Sequence, residues 1–136
     1  PRRGAMPTLS MGCASIPAGQ RSALAEWKPS PNHGVRNPTV IVLHYTVEDT
    51  LEGSRDILSD AERKHPVSAH YLLGRDGRLL QLVPDHLAAW HAGAGRWGTI
   101  DDLNQASIGI TVRIASGLPI SPIMISRLAA IRLAPR

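Results

Sequence analysis

The stretch Pro38-Thr39-Val40-Ile41-Val42-Leu43-His44-Tyr45-Thr46 decides how the chain is read. Val40 to Leu43 form an apolar run with three β-branched members, too short for an ordinary helix. The run fits a strand buried on both faces. His44 closes it. An imidazole at the end of such a strand stands where rigid backbone meets an open cleft, placed for metal ligation or acid and base chemistry. A core histidine satisfied by one hydrogen bond is the plainer alternative.

Around this strand the chain has room for little else. Its 136 residues allow one domain with a modest core, and 43% apolar residues suit a globular protein. There is no Phe, so three Trp and two Tyr supply all the large aromatic packing. No apolar run approaches the length of a membrane span. The net charge of +4 hides a division: residues 40–110 carry six basic and ten acidic side chains, so the basic surplus belongs to the two ends. A nucleic-acid binder needs a focused basic face, and that class is ranked low despite the pI of about 10.0.

Upstream, residues 1–37 are rich in Pro, Gly, Ser and Ala without a sustained period, and read as leader and linker. The single cysteine, Cys13, excludes an internal disulfide framework. Leu9-Ser10-Met11-Gly12-Cys13 has the small-residue-then-Cys pattern of a bacterial lipoprotein cleavage site, although Pro7 breaks the short apolar stretch before it. The first residue is Pro rather than Met, as expected of a fragment.

Downstream, Thr50 is placed to cap a helix containing Leu51, Ile57 and Leu58 that ends before Pro66. Val67 to Leu73 and Leu79 to Val83 read as strands joined by the Asp76-Gly77 turn, hence a hairpin. Ala88 to Gly95 is a loop of small residues around Trp90-His91, the kind that lets a ligand approach the backbone. Asn104 to Val112 gives a fourth strand. All eleven acidic residues lie at or before Asp102, and the last 34 positions hold none. That change of composition suggests a different origin for the end of the chain.

His44, His70 and His91 stand at strand ends or in the loop, and spacing alone suggests a three-histidine zinc site with water in the fourth position. The signal is weak without a short-range pair such as His-x-x-x-His. His33, His65 and His86 fall in expected loops as solvated side chains.

Taken in order, Val-Ile-Val-Leu-His44-Tyr-Thr, Val67-Ser-Ala-His-Tyr-Leu, Arg75-Asp-Gly, Gln81-Leu-Val-Pro, Ala89-Trp-His91-Ala-Gly, and Asn104 followed by Ser107-Ile-Gly-Ile resemble a known family. It is that of the zinc-dependent N-acetylmuramoyl-L-alanine amidases, the amidase_2 group related to anhydro-muropeptide amidases, phage T7-type lysozyme and peptidoglycan recognition proteins. The match runs from about Pro38 to Ile110. It implies an α/β fold with a mixed central β-sheet flanked by helices, here truncated. It also implies a zinc ion beside a groove for peptidoglycan or muropeptides, and cleavage of the amide between N-acetylmuramic acid and L-alanine. His44 matches the first zinc ligand. Trp90 and His91 match the loop lining the substrate groove, and Tyr45 and Thr46, next to His44, are counted with the substrate-binding residues. His70 matches a position that is more often structural, which argues against the three-histidine site.

The departures from the pattern are as informative. Thr111 stands where the hydrolytic members carry a glutamate that orients or deprotonates the attacking water. The later segment that supplies a second ligand histidine, an oxyanion-stabilising lysine and a ligand aspartate has no counterpart. There is no His after His91, no acid after Asp102 and no Lys after Lys64. One matched histidine cannot hold catalytic zinc, which takes three protein ligands and a water. Residues 38–112 are therefore expected to be the N-terminal part of an amidase domain. Residues 113–136 are expected to be an atypical tail from a shifted frame or foreign end, the alternative being a divergent native C-terminus. The expected function is an amidase of the bacterial envelope by descent, inactive or nearly so in this form. Periplasm, outer membrane, secretion and cytoplasm stay open. A non-catalytic peptidoglycan-binding module is the rival, and a defective product without function the third reading.

Overall fold

The computed structural model describes residues 22–35, 38–114 and 119–130. Cys13, and with it the lipoprotein reading, lies outside the described residues. In chain order the elements are β1 (Glu26–Trp27), β2 (His33–Val35), β3 (Val40–Thr46), α1 (Leu51–Ile57), β4 (Tyr71–Leu73), β5 (Leu79–Gln81), β6 (Leu87–Ala89), α2 (Leu103–Ala106), β7 (Ser107–Arg113) and α3 (Pro122–Ala130). Five strands form one mixed sheet in the order β1-β5-β4-β7-β3, and β2 pairs with β6 in a second, two-stranded sheet.

Local chemistry accounts for the turns. Thr50 caps α1 as expected, its Oγ1 accepting from the Gly53 N–H at 2.9 Å. β4 and β5 are antiparallel, and Gly77, with φ of +85°, takes the left-handed position in the turn between them. A Cβ there would meet the Ile123 side chain of α3 at 2.7 Å, so the turn also needs glycine for space.

β7 lies inside the sheet, parallel to β4 on one side and to β3 on the other. Ile108, Ile110 and Val112 point to one face, where they pack with Tyr71, Leu73, Leu79 and Met124 of α3. On the other face Leu51 of α1 packs with Leu72, Leu80, Leu82 and Val83. The sheet therefore has a helix on each face, the mixed architecture expected. Met124, fully buried, belongs to the segment read as an atypical tail.

Three expectations meet a different structure. β3 is not buried on both faces: it is an edge strand, and its residues alternate between half-buried and exposed. Ile41, Leu43 and Tyr45 are 42%, 58% and 72% exposed. An apolar run specifies a strand, whereas its position in the sheet depends on which partners the rest of the chain supplies. Second, the segment before Pro38 supplies β1 and β2, strands of two and three residues that carry no periodic signal. Third, His33 is half-buried in β2 rather than a solvated loop residue. Burial, with the nearby His86 charge second, pushes its pKa below the usual imidazole value.

Candidate functional site

The site grows from the small residues of β7. Side chains alternate across a strand, so Ser107, Gly109 and Thr111 share the face opposite Ile108, Ile110 and Val112. Ser107 and Gly109 leave space there, and the imidazole of His91 fills it. A Cβ on Gly109 would overlap that ring. Parallel pairing of β3 with β7 then sets Val42 beside Gly109 and His44 beside Thr111. Register partners project to the same face, so His44 comes to His91 across a sequence gap of 47 residues. Their ring centroids are 5.0 Å apart, edge to face, with His44 Nε2 2.8 Å from His91 Nδ1.

The loop carrying His91 is held from both sides. Asn104 Oδ1 accepts from the backbone N–H of His91 at 3.0 Å and of Ala92 at 2.9 Å. Its Nδ2 donates to the Gly93 carbonyl at 3.3 Å. Trp90 N–H donates to Ser68 Oγ at 2.8 Å and the Trp90 carbonyl accepts from Ser68 N–H at 2.9 Å, leaving Trp90 39% exposed. At the other end of the ring, His91 Nε2 lies 3.0 Å from Ser107 Oγ, whose hydroxyl donates to the Leu103 carbonyl. Burial lowers the pKa of His44, so its neutral form is favoured.

His70 completes a row of three imidazoles, 6.0 Å from His91 between centroids, but it faces elsewhere. Its Nδ1 accepts from Gly109 N–H at 2.9 Å and its Nε2 donates to the Leu87 carbonyl at 2.8 Å. It is fully buried, and it ties the segment before β4 to β6 and β7. The structural reading of His70 holds, and the three-histidine site does not form. Among the described residues no group of three or more His, Cys, Asp or Glu side chains is placed to hold a metal ion. Catalytic zinc takes three protein ligands. His44 and His91 share a hydrogen bond with each other, both His70 nitrogens are engaged, and the neighbour of His44 is the hydroxyl of Thr111. The residues present do not fit catalytic zinc.

Of the other expected site residues, Thr46 shares the His44 face, half-buried, and Tyr45 projects to the opposite face with Ile41 and Leu43. Sheet geometry thus keeps Tyr45 apart from the histidines. Ser107, Gly109 and Asn104 build the site, although in the sequence they stand only as strand and motif residues. The usable signal was two small residues at a spacing of two in an otherwise β-branched strand, which marks room for a ring.

A family model described as N-acetylmuramoyl-L-alanine amidase, Amidase_2, matches residues 34–133. The chain belongs to the Amidase_2 family. This match passes through β7 and α3, beyond the stretch in which the sequence motifs are recognisable. Among relatives of this amidase family, the 1,6-anhydro-N-acetylmuramyl-L-alanine amidase AmpD of Escherichia coli K12 is 31% identical over 122 residues, covering 76% of this chain and 67% of AmpD. A crystal structure of an AmpD selenomethionine derivative superposes with a TM-score of 0.71 at 27% identity, covering 82% of this chain and 73% of that one. The E. coli amidase AmiD, solved with the substrate anhydro-N-acetylmuramic acid-L-Ala-D-gamma-Glu-L-Lys, superposes with a TM-score of 0.53 at 31% identity, covering 80% of this chain and 44% of AmiD. The chain spans from about a quarter to about two thirds of the length of the curated relatives it matches.

Proposed function

We propose that this Amidase_2 chain is by descent an N-acetylmuramoyl-L-alanine amidase of the bacterial envelope, directed at muropeptides of the anhydro-N-acetylmuramyl-L-alanyl class through a groove lined by His44, Thr46, Trp90 and His91, and that in this form it hydrolyses them little or not at all; a non-catalytic peptidoglycan-binding module is the rival reading. The parent activity is cleavage of the amide between N-acetylmuramic acid and L-alanine. Zinc bound in a complete site supplies Lewis-acid chemistry at a water. Here a single observation carries the reading: His44 is surrounded by no ligand set, its register partner being Thr111 and its Nε2 meeting His91 Nδ1. A threonine hydroxyl at neutral pH is no general base for water, because its own proton is far too tightly held. The exposed Trp90 and its fixed loop favour binding, since an aromatic face is a strong anchor for a sugar or peptide. A shifted frame or foreign end after Thr111 stays one proposal for the tail; the fully buried Met124 and the family match to residue 133 support the other, a divergent native C-terminus.

Calorimetric zinc titration of the full chain, sedimentation with insoluble peptidoglycan and chromatography of muropeptides test the reading together. The expected result is retention without release of free peptide, weakened about tenfold by Trp90→Ala. Stoichiometric zinc binding of submicromolar affinity, accompanied by amide cleavage, would overturn it.

A further inference from the structure

We infer that Ser107 is a positioning residue that, acting through His91, fixes the tautomer of His44 and leaves its Nδ1 as a hydrogen-bond acceptor. The chain of donors runs in one direction. The Ser107 hydroxyl has one proton, and it is committed to the Leu103 carbonyl. Its oxygen can then only accept from His91, which places the His91 proton on Nε2. A neutral imidazole carries one proton, so His91 Nδ1 presents a lone pair and accepts from His44 Nε2–H. The single proton of neutral His44 is thereby used, and the unprotonated nitrogen is Nδ1. The ring is half-buried.

Two further features make the relay rigid. The His91 ring packs so closely over Gly109 that a Cβ there would overlap it, and Asn104 holds the His91 backbone. Anchoring of an imidazole by the partner of its other nitrogen is a general device for choosing a tautomer. The consequence is one of specificity. The group that meets His44 must itself be a donor, an amide N–H or a sugar hydroxyl; an acceptor such as a carboxylate meets a lone pair.

This inference concerns the site of the proposed function but does not need a muropeptide to be bound. Long-range proton–nitrogen correlation spectra of the nitrogen-15-labelled full chain, taken above the imidazole titration range, read each tautomer directly. The expected spectrum shows His44, His91 and His70 all protonated on Nε2. In Ser107→Ala, His91 loses its acceptor, and its proton and that of His44 both move to Nδ1, exchanging the positions of their two nitrogen signals. His70 stays unchanged and reports that the fold is intact. Ser107→Thr, which keeps the hydroxyl, restores the original pattern. A wild-type spectrum with His44 protonated on Nδ1 overturns the inference, and that spectrum decides even where Ser107→Ala fails to fold. A folded Ser107→Ala with both tautomers unmoved also overturns it. Peptidoglycan retention measured on the same samples reports on the proposed function separately.

Discussion

Thr111 of β7 is the register partner of His44 on β3, and the two side chains share one face of the sheet. A carboxylate at position 111 would stand next to the imidazole, yet among the described residues no group of three or more metal-ligating side chains gathers there. Thr111→Glu is therefore expected to leave muropeptide cleavage undetectable by chromatography. The same substitution buries a carboxyl group at a position 7% exposed, and its urea midpoint should fall.

Gly109 is the floor beneath His91. Gly109→Ala forces the ring to shift, at a cost of about 1–3 kcal/mol in denaturant unfolding. The structural change should be confined to loss of the His44–His91 contact, seen as a lost nuclear Overhauser effect between the two rings.

Met124 tests whether α3 is part of the folded core. It is fully buried against Tyr71, Leu73 and Ile110. Met124→Ala is expected to lower stability by about 2–5 kcal/mol in urea unfolding. An unchanged midpoint would mean that the packing of α3 contributes nothing.

Acidification should weaken the fold. His33 and His44 both have folded-state pKa values below the ordinary one, mainly through burial. Above the unfolded value, near 6.5, neither form binds the proton and the two groups cost nothing. As pH falls below it, the unfolded chain takes up protons that the folded chain resists, so stability declines until the folded pKa values are passed. Urea midpoints measured from neutral pH downward should fall, and His33→Gln should flatten that slope.

Leu43, on the uncovered face of β3, is 58% exposed on a strand without a charge. Leu43→Lys should reduce light scattering at high protein concentration with little change in melting temperature.

What the sequence made legible was local. The Thr50 cap, the Asp76-Gly77 turn and the strand that carries His44 depend on neighbours within a few residues, and each is found in the fold, the strand running on to Thr46. What depends on distant partners was not legible. Glu26–Trp27 is a strand because β5 offers an edge to it, and His33–Val35 because β6 does. The union of His44 with His91 required the β3–β7 register, which the motifs of either strand alone do not contain. The separation of Tyr45 from His44 follows from the strand's alternation, a rule available from the sequence but masked by the two residues being adjacent in a motif.

β3 is fastened to the sheet along one side only, and His44 rides on it while His91 is anchored to the interior through Ser107 and Asn104. Edge elements open by fluctuations smaller than global unfolding. The recognition surface therefore has its own, lower threshold: warming should release the β3 amides to solvent exchange and abolish muropeptide retention while the β4–β5–β7 interior is still intact. The protein would lose its ligand before it loses its shape.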